Sequence, residues 1–190
     1  MSAISRSIPA MLFCALLIFT AGRVEAGGVG YYPNGQVQWE YLYQGGEVRE
    51  AKWYDEAGRL SVRAVFRDGR QAMSEGYRSD GSLEWQVREL ADDRQEITRF
   101  ATSRRAEMRY EAAAGRADGP STVFYPGGQP RQSVTFRNNT PHGPARTFYE
   151  NGQIESEYAY RDGLLDGPYR LFSPEGRLTD EQVFDHGQLR

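Results

Sequence analysis

Cysteine is nearly absent from this sequence. The single residue, Cys14, lies inside an apolar N-terminal run. Phe13 before it and Ala-Leu-Leu-Ile-Phe after it deny the small-residue, run-ending context of a lipid-modified cysteine. A disulfide framework and a cysteine-based zinc site are thereby excluded. Histidine is almost as scarce: His142 and His186 are the only two, each beside a glycine. Asp162 and Asp166 fill the equivalent positions of a neighbouring repeat, so both histidines read as polar turn formers rather than as a base or metal ligand. Long apolar runs are missing too. Ile8 through Ala21 is the longest, short of the roughly 20 residues a spanning helix needs. Helical periodicity is also lacking, with "VRELADDRQEITRF" the nearest approach. Phosphate loops, nucleophile elbows and EF-hand spacings do not occur, and "DDRQE" lacks a calcium loop's glycine. No catalytic residue, metal ligand or cofactor site is expected.

The first 26 residues have the layout of a secretory signal peptide. Arg6 supplies the positive start, the apolar run follows, and Val24-Glu25-Ala26 gives a small-x-small cleavage pattern. Cleavage is expected between Ala26 and Gly27, leaving a mature chain without cysteine or an integral membrane span. Export with no cysteine fits a bacterial periplasm or exterior. Removing the leader takes 23 basic and 26 acidic residues to 21 and 25. A net charge near −4 argues against a nucleic-acid partner or an anionic membrane surface.

What the chain does have is a ruler. Turn glycines follow aromatics at Gly35, Gly58 and Gly81, spaced by 23 residues, and at Gly128, Gly152 and Gly176, spaced by 24. The 47 residues between Gly81 and Gly128 are two steps with one glycine missing near Arg104. A second marker keeps the same phase: an aromatic eight residues after the glycine, at Tyr43, Phe66, Phe136, Tyr160 and Phe184, each leading into another turn. Gly119-Pro120, Gly143-Pro144 and Gly167-Pro168 are expected to open the strands that follow. Between turns, side chains alternate, as in Val37, Trp39, Tyr41 or Leu83, Trp85, Val87, the pattern of strands buried on one face. Asn34-Gly35, Asp80-Gly81 and Asn151-Gly152 suit tight hairpins.

The expected fold is all-β: an elongated, single-layer antiparallel meander of about seven hairpin repeats of 23–24 residues. After the signal peptide at 1–26, one domain is expected over 27–190. Its units fall near 27–50, 51–73, 74–96, 97–119, 120–143, 144–167 and 168–190. One such unit buries too few side chains to offset the entropy of ordering it, so neighbours must pair.

The stretches "TFYENGQIESEYAYRDGLLDGPYRLF", "YYPNGQVQWEYLYQGGEV" and "VFYPGGQPRQSVTFRNNTPHGP" resemble the variant MORN repeat of bacterial proteins. The resemblance covers about residues 31–190 and is weak over 88–109. It implies a single layer of β-hairpins and a role in protein interaction or scaffolding, with no catalytic residues to carry over. Some bacterial members carry an antitoxin-like label, which export argues against. Others are linked to membrane lipids, which the negative charge does not favour.

Two groups are candidates for partner binding. The eroded fourth unit gathers Arg99, Phe100, Arg104, Arg105 and Arg109, suited to an acidic protein partner. Trp39, Trp53 and Trp85, all in the first three units, could stack on the sugar rings of a cell-wall glycan; otherwise they form the shared apolar face. The first and last strands of such an array are sheet edges, open to edge-strand oligomerisation. The function expected is a non-enzymatic, exported scaffold for protein–protein interaction in the bacterial periplasm or envelope. The alternative is a glycan-binding repeat module.

Overall fold

The computed structural model describes residues 28–190, which form one antiparallel sheet. The signal peptide expected over 1–26 and the cleavage expected between Ala26 and Gly27 lie outside the described residues. The strands are β1 (Val29–Tyr31), β2 (Val37–Gln44), β3 (Glu47–Tyr54), β4 (Leu60–Arg67), β5 (Arg70–Tyr77) and β6 (Leu83–Glu89). There follow β7 (Arg94–Phe100), β8 (Ala106–Ala113), β9 (Arg116–Phe124), β10 (Pro130–Arg137) and β11 (Thr140–Phe148). The last are β12 (Ile154–Arg161), β13 (Leu164–Leu165), β14 (Gly167–Phe172), β15 (Leu178–Asp185) and β16 (Gln188–Leu189). Each strand pairs with the next in chain order; β13 is a short piece beside β12, split from β14 at Asp166. At about 4.8 Å per strand the sheet runs roughly 65–70 Å, against about 25 Å along a strand. The layer is single and elongated.

Two turn types alternate along this ladder. In the first, the N–H of Tyr32 donates to the Gln36 carbonyl (2.8 Å) and the N–H of Gly35 donates to the Tyr32 carbonyl (2.9 Å). The same pair of bonds closes residues 55–59, 78–82, 101–105, 125–129, 149–153 and 173–177. These are five-residue loops whose fourth residue takes a positive φ. That residue is glycine in six of the seven. In the fourth unit it is Arg104, with φ 63°. The turn that the spacing places near Arg104 is therefore formed without its glycine.

The second type is a two-residue turn with both φ values positive, as at Asp68-Gly69, Asn138-Asn139 and Asp162-Gly163. Between β6 and β7 it widens to residues 90–93, where Asp92 and Asp93 both take left-handed φ. The stretch with the nearest helical period is thus the β6–β7 hairpin.

The Gly-Pro pairs differ from expectation in two of three places. Gly167-Pro168 opens β14, but Gly119-Pro120 and Gly143-Pro144 lie inside β9 and β11. Opposite the second of these, Val134 pairs with Ala145 and Phe136 with Pro141, so β11 carries extra residues there. Gly143 supplies the positive φ (97°) such a bulge needs, and a proline, lacking an N–H, is tolerated at bulges.

The pairing register separates two faces. One carries Trp39, Trp53, Trp85, Val87, Ile97 and Tyr110. The other carries Glu40, Lys52, Arg63, Glu75, Arg146 and Glu157. The most deeply buried residues are small ones on the first face, Ala51, Ala64 and Ala145, each at most 2% exposed. Among the described residues Val87 is the largest side chain at that depth, and no aromatic reaches it. A single layer has no second sheet to cover it, so large side chains shelter small neighbours on the same face. Val87, Ile97 and Ala112, with Trp85 and Tyr110 packed against them, make an apolar cluster shared by the third and the eroded fourth unit.

Candidate binding face

Each unit contributes one directly opposed pair to a row across the apolar face. In order, the first four are Gly30 with Trp39, Trp53 with Val62, Gly76 with Trp85, and Arg99 with Met108. The row continues through Val123 with Gln132, Thr147 with Ser156, and Leu171 with Asp180. In the first three units every pair matches one tryptophan with a smaller residue. The later pairs grow polar, and Thr147 and Ser156 meet through their hydroxyls at 2.7 Å.

The glycines of this row are dictated by close approach. A Cβ built at Gly76 would lie 2.1 Å from Trp85 Cε2, and one at Gly30 would lie 2.3 Å from Trp39 Cε2. Both indoles therefore lie against the backbone of the neighbouring strand. Around Trp39 the aromatics continue: Tyr41 is 5.2 Å from it between ring centres, and Trp53 meets Tyr41 edge-on at 6.2 Å.

The register brings together residues that the sequence kept in separate groups. Arg99 on β7 is the direct partner of Trp85 on β6. The remaining members of the arginine group disperse. Phe100 ends β7, and its carbonyl accepts a bond from the Arg78 guanidinium. Arg104 holds the left-handed corner of its turn. Arg105 donates to the Pro126 carbonyl at 2.9 Å, tying its turn to the next. Arg109 lies on the opposite face, 3.8 Å from Glu96 and over the Phe124 ring at 5.9 Å.

A second aromatic cluster lies on the same face toward the C-terminal end. Tyr158 stacks on Tyr169 at 5.0 Å, with Tyr160 and Phe184 edge-on at the two ends. The recurring aromatic marker flagged Tyr160 and Phe184, but their meeting with Tyr169 depends on the register. Burial, with its tyrosine neighbours, pushes the Tyr158 hydroxyl up to about 12.

The opposite face is a ladder of charge. Glu40 faces Lys52 at 3.2 Å, Arg63 faces Glu75 at 3.3 Å, Arg146 faces Glu157 at 2.6 Å, and Arg170 faces Glu181 at 2.8 Å. Tyr54 donates to Glu40 (2.7 Å) and Tyr77 to Glu75 (2.8 Å). The Tyr54 bond, helped by Lys52, lowers the Glu40 carboxyl against the opposing effect of burial. Burial raises Glu75, but the bonds from Tyr77, Gln86 and Arg63 outweigh it and leave it lowered. Burial, reinforced by these carboxylates, pushes both tyrosines up to about 12.

The histidines belong to the turns' own bonding. The N–H of Asn138 donates to Asp118 (3.2 Å), that of Asp162 to His142 Nδ1 (3.4 Å), and that of His186 to Asp166 (3.4 Å). These are equivalent positions in three successive units, with His142 standing where the others have aspartate. His142 itself lies within β11 rather than in a turn. Asp166, Asp185 and His186 each offer a ligand atom within 4.8 Å of one another. Arg161 at 2.8 Å from Asp166, and Arg190 on Asp185, already neutralise both carboxylates.

Residues 117–138 and 141–162 match the family described as the MORN repeat variant, so the chain carries repeats of that type. No curated protein matches the chain. Among solved structures, S. aureus TarM in complex with fondaparinux, alpha-GlcNAc-glycerol and UDP is 11% identical, with a TM-score of 0.39. That match covers 54% of this chain and 21% of TarM, so the chain spans about a fifth of that structure's length. The GtfA/B complex bound to UDP and GlcNAc is 12% identical, with a TM-score of 0.28 over 60% of this chain and 25% of that one. A porin-like protein from Bacteroides uniformis is 9% identical, with a TM-score of 0.24 over 86% of each chain. Among the described residues no helix is long and apolar enough to cross a membrane.

Proposed function

We propose that this chain of MORN-variant repeats serves as a non-enzymatic scaffold that holds a protein partner in the bacterial periplasm or envelope. The observation that carries the reading is the uninterrupted pair of faces. Among the described residues, one sheet of roughly 65–70 Å presents on one side a face with aromatic clusters toward both ends and on the other a charge ladder. Linear arrays of this kind offer extended surfaces to a partner rather than a water-excluding cleft. The leader at residues 1–26 supports placement outside the cytoplasm. Affinity purification from the envelope fraction tests the reading. A specific protein retained by the wild type, and released by charge reversal on either face, is expected; recovery of no specific protein defeats it.

A second reading is a glycan-binding module. Trp39 and Trp85, each laid against a glycine, favour it, because an indole flat on a sheet presents its other π-face outward. Pull-down on purified peptidoglycan, comparing wild type with Trp39→Ala and Trp85→Ala, separates the two. Binding unaltered by both changes removes the tryptophans from the account.

A further inference from the structure

We propose that the stretch of the apolar face from Trp53 to Arg99 binds an oligosaccharide that carries carboxylate groups, with Trp53 and Trp85 as stacking platforms and Arg99 as the carboxylate clamp. The proposal rests on the glycan reading above and adds the charge of the sugar to it. Trp53 is on β3 and Trp85 on β6, three strands apart, or roughly 14 Å. That span suits a chain of sugars rather than one. Val62 and Gly76 lie between the two tryptophans in the row and keep the surface low. Trp53 and Trp85 are both partly buried and keep some surface in solvent, and the Trp85 indole rests on the backbone of Gly76. A sugar's C–H face is the natural complement of a π-face with negative potential.

Charge identifies the class of sugar. On the opposite face Arg63, Arg146 and Arg170 each pair with a glutamate. Around the Arg99 end of the row the arginines have no such partner within ion-pair distance among the described residues. Arg99 is exposed beside Trp85, with Met108 on its other side. Arg78 and Arg105 donate to carbonyl oxygens, those of Leu83 and Phe100 and that of Pro126. The fourth turn, residues 101–105, contains Arg104 and Arg105 and no acidic residue. A stacking surface therefore ends in cationic groups whose complement is an anion, and guanidinium binds carboxylate through two parallel hydrogen bonds.

Calorimetric titration of the whole mature chain with oligogalacturonate and with the neutral cello-oligosaccharide of equal length tests this. The acidic sugar is expected to bind about tenfold or more tightly than the neutral one, the scale of one charge-assisted hydrogen bond. Arg99→Gln, an exposed position, is expected to remove that preference with the far-ultraviolet dichroism unchanged. Equal binding of both sugars overturns the carboxylate clamp and leaves the glycan reading standing. Binding of neither overturns both. A short polyglutamate peptide that binds as well as oligogalacturonate, with the same loss in Arg99→Gln, overturns the sugar assignment in favour of an acidic protein segment.

Discussion

Trp85 lies on the backbone of Gly76, so close that a Cβ at Gly76 would sit 2.1 Å from the indole Cε2. The two are direct partners on β5 and β6, and Gly30 with Trp39 repeats the arrangement two units earlier. Glycine here is a space requirement, since Gly76 is not among the positive-φ residues. Gly76→Ala forces Trp85 off its seat and should lower stability by about 1–3 kcal/mol, the range for overpacking. Gly127→Ala is the control. It has nothing within 4 Å of its built Cβ and should be neutral or slightly stabilising. Urea unfolding midpoints of the two variants decide the matter, and equal midpoints contradict it.

The corner at Arg104 gives the opposite sign. Its φ of 63° matches the glycines at the fourth position of the other five-residue turns, and a non-glycine residue there bears left-handed strain. Arg104→Gly should therefore stabilise by about 1 kcal/mol. Ala114, at φ 47° in the two-residue turn before β9, is a second such place. Ala114→Asn should stabilise by a similar amount, because asparagine tolerates this region and favours such turns. A raised thermal midpoint in both variants is the expected readout, and additive gains would show that the two turns act independently.

These two turns also show what the sequence can and cannot disclose. A positive φ has few residue solutions, so glycines at fixed steps reported the turns directly, and spacing alone located the one that Arg104 occupies. The Gly-Pro pairs were ambiguous because proline fits a strand start and a bulge equally well; only the pairing of Val134 and Phe136 with Ala145 and Pro141 separates the two. Arg99 and Trp85 are 14 residues apart in sequence. Their meeting follows from the pairing register, which opposes equivalent positions 14 residues apart in other units too, as in Trp39 with Trp53 and Val62 with Gly76. The eroded unit lost its turn consensus yet supplies Ile97 and Ala112 to the cluster they form with Val87, so conformity to the repeat and apolar packing are distributed separately along the chain.

The charge ladder predicts a response to pH at both ends of the scale. Glu40 and Glu75 are held below their ordinary value of 4.5 in the folded chain, so the unfolded chain binds protons first as pH falls. Their contribution is complete above that value and is lost as pH drops through the lowered one. Glu75→Gln should flatten the acid side of the curve of unfolding midpoint against pH. Tyr54 and Tyr77 behave in the reverse sense. With both pushed up to about 12, their contribution is whole below the ordinary value of 10 and disappears as pH rises through 12. Tyrosinate absorbance followed during alkaline titration should show late-ionising tyrosines, and Tyr54→Phe with Tyr77→Phe should remove part of that late phase. A titration in which all tyrosines ionise together near 10 contradicts the bonding to Glu40 and Glu75.

Tyrosines at the first position of three of the five-residue turns tie their unit to the next. Tyr32 donates to the Tyr54 carbonyl (2.8 Å), Tyr125 to that of Phe148 (2.7 Å), and Tyr149 to that of Phe172 (2.9 Å). Arg78 does the same for Phe100 with its guanidinium. The equivalent residue of the fourth unit is Ala101, which has no donor to offer, and Arg105 instead reaches the Pro126 carbonyl one turn further on. Tyr149→Phe should cost about 0.5–1.5 kcal/mol, one hydrogen bond in a partly buried setting. Arg105→Ala should cost less, because its bond is exposed. Ala101→Tyr should partly offset the loss in Arg105→Ala by supplying the missing donor to the Phe124 carbonyl, at the position Tyr125 and Tyr149 occupy in later units. Denaturant midpoints of the single and double variants give the coupling directly. If Ala101→Tyr lowers stability equally with and without Arg105, the fourth unit has no place for the tie, and its turn is held by the neighbouring strands alone.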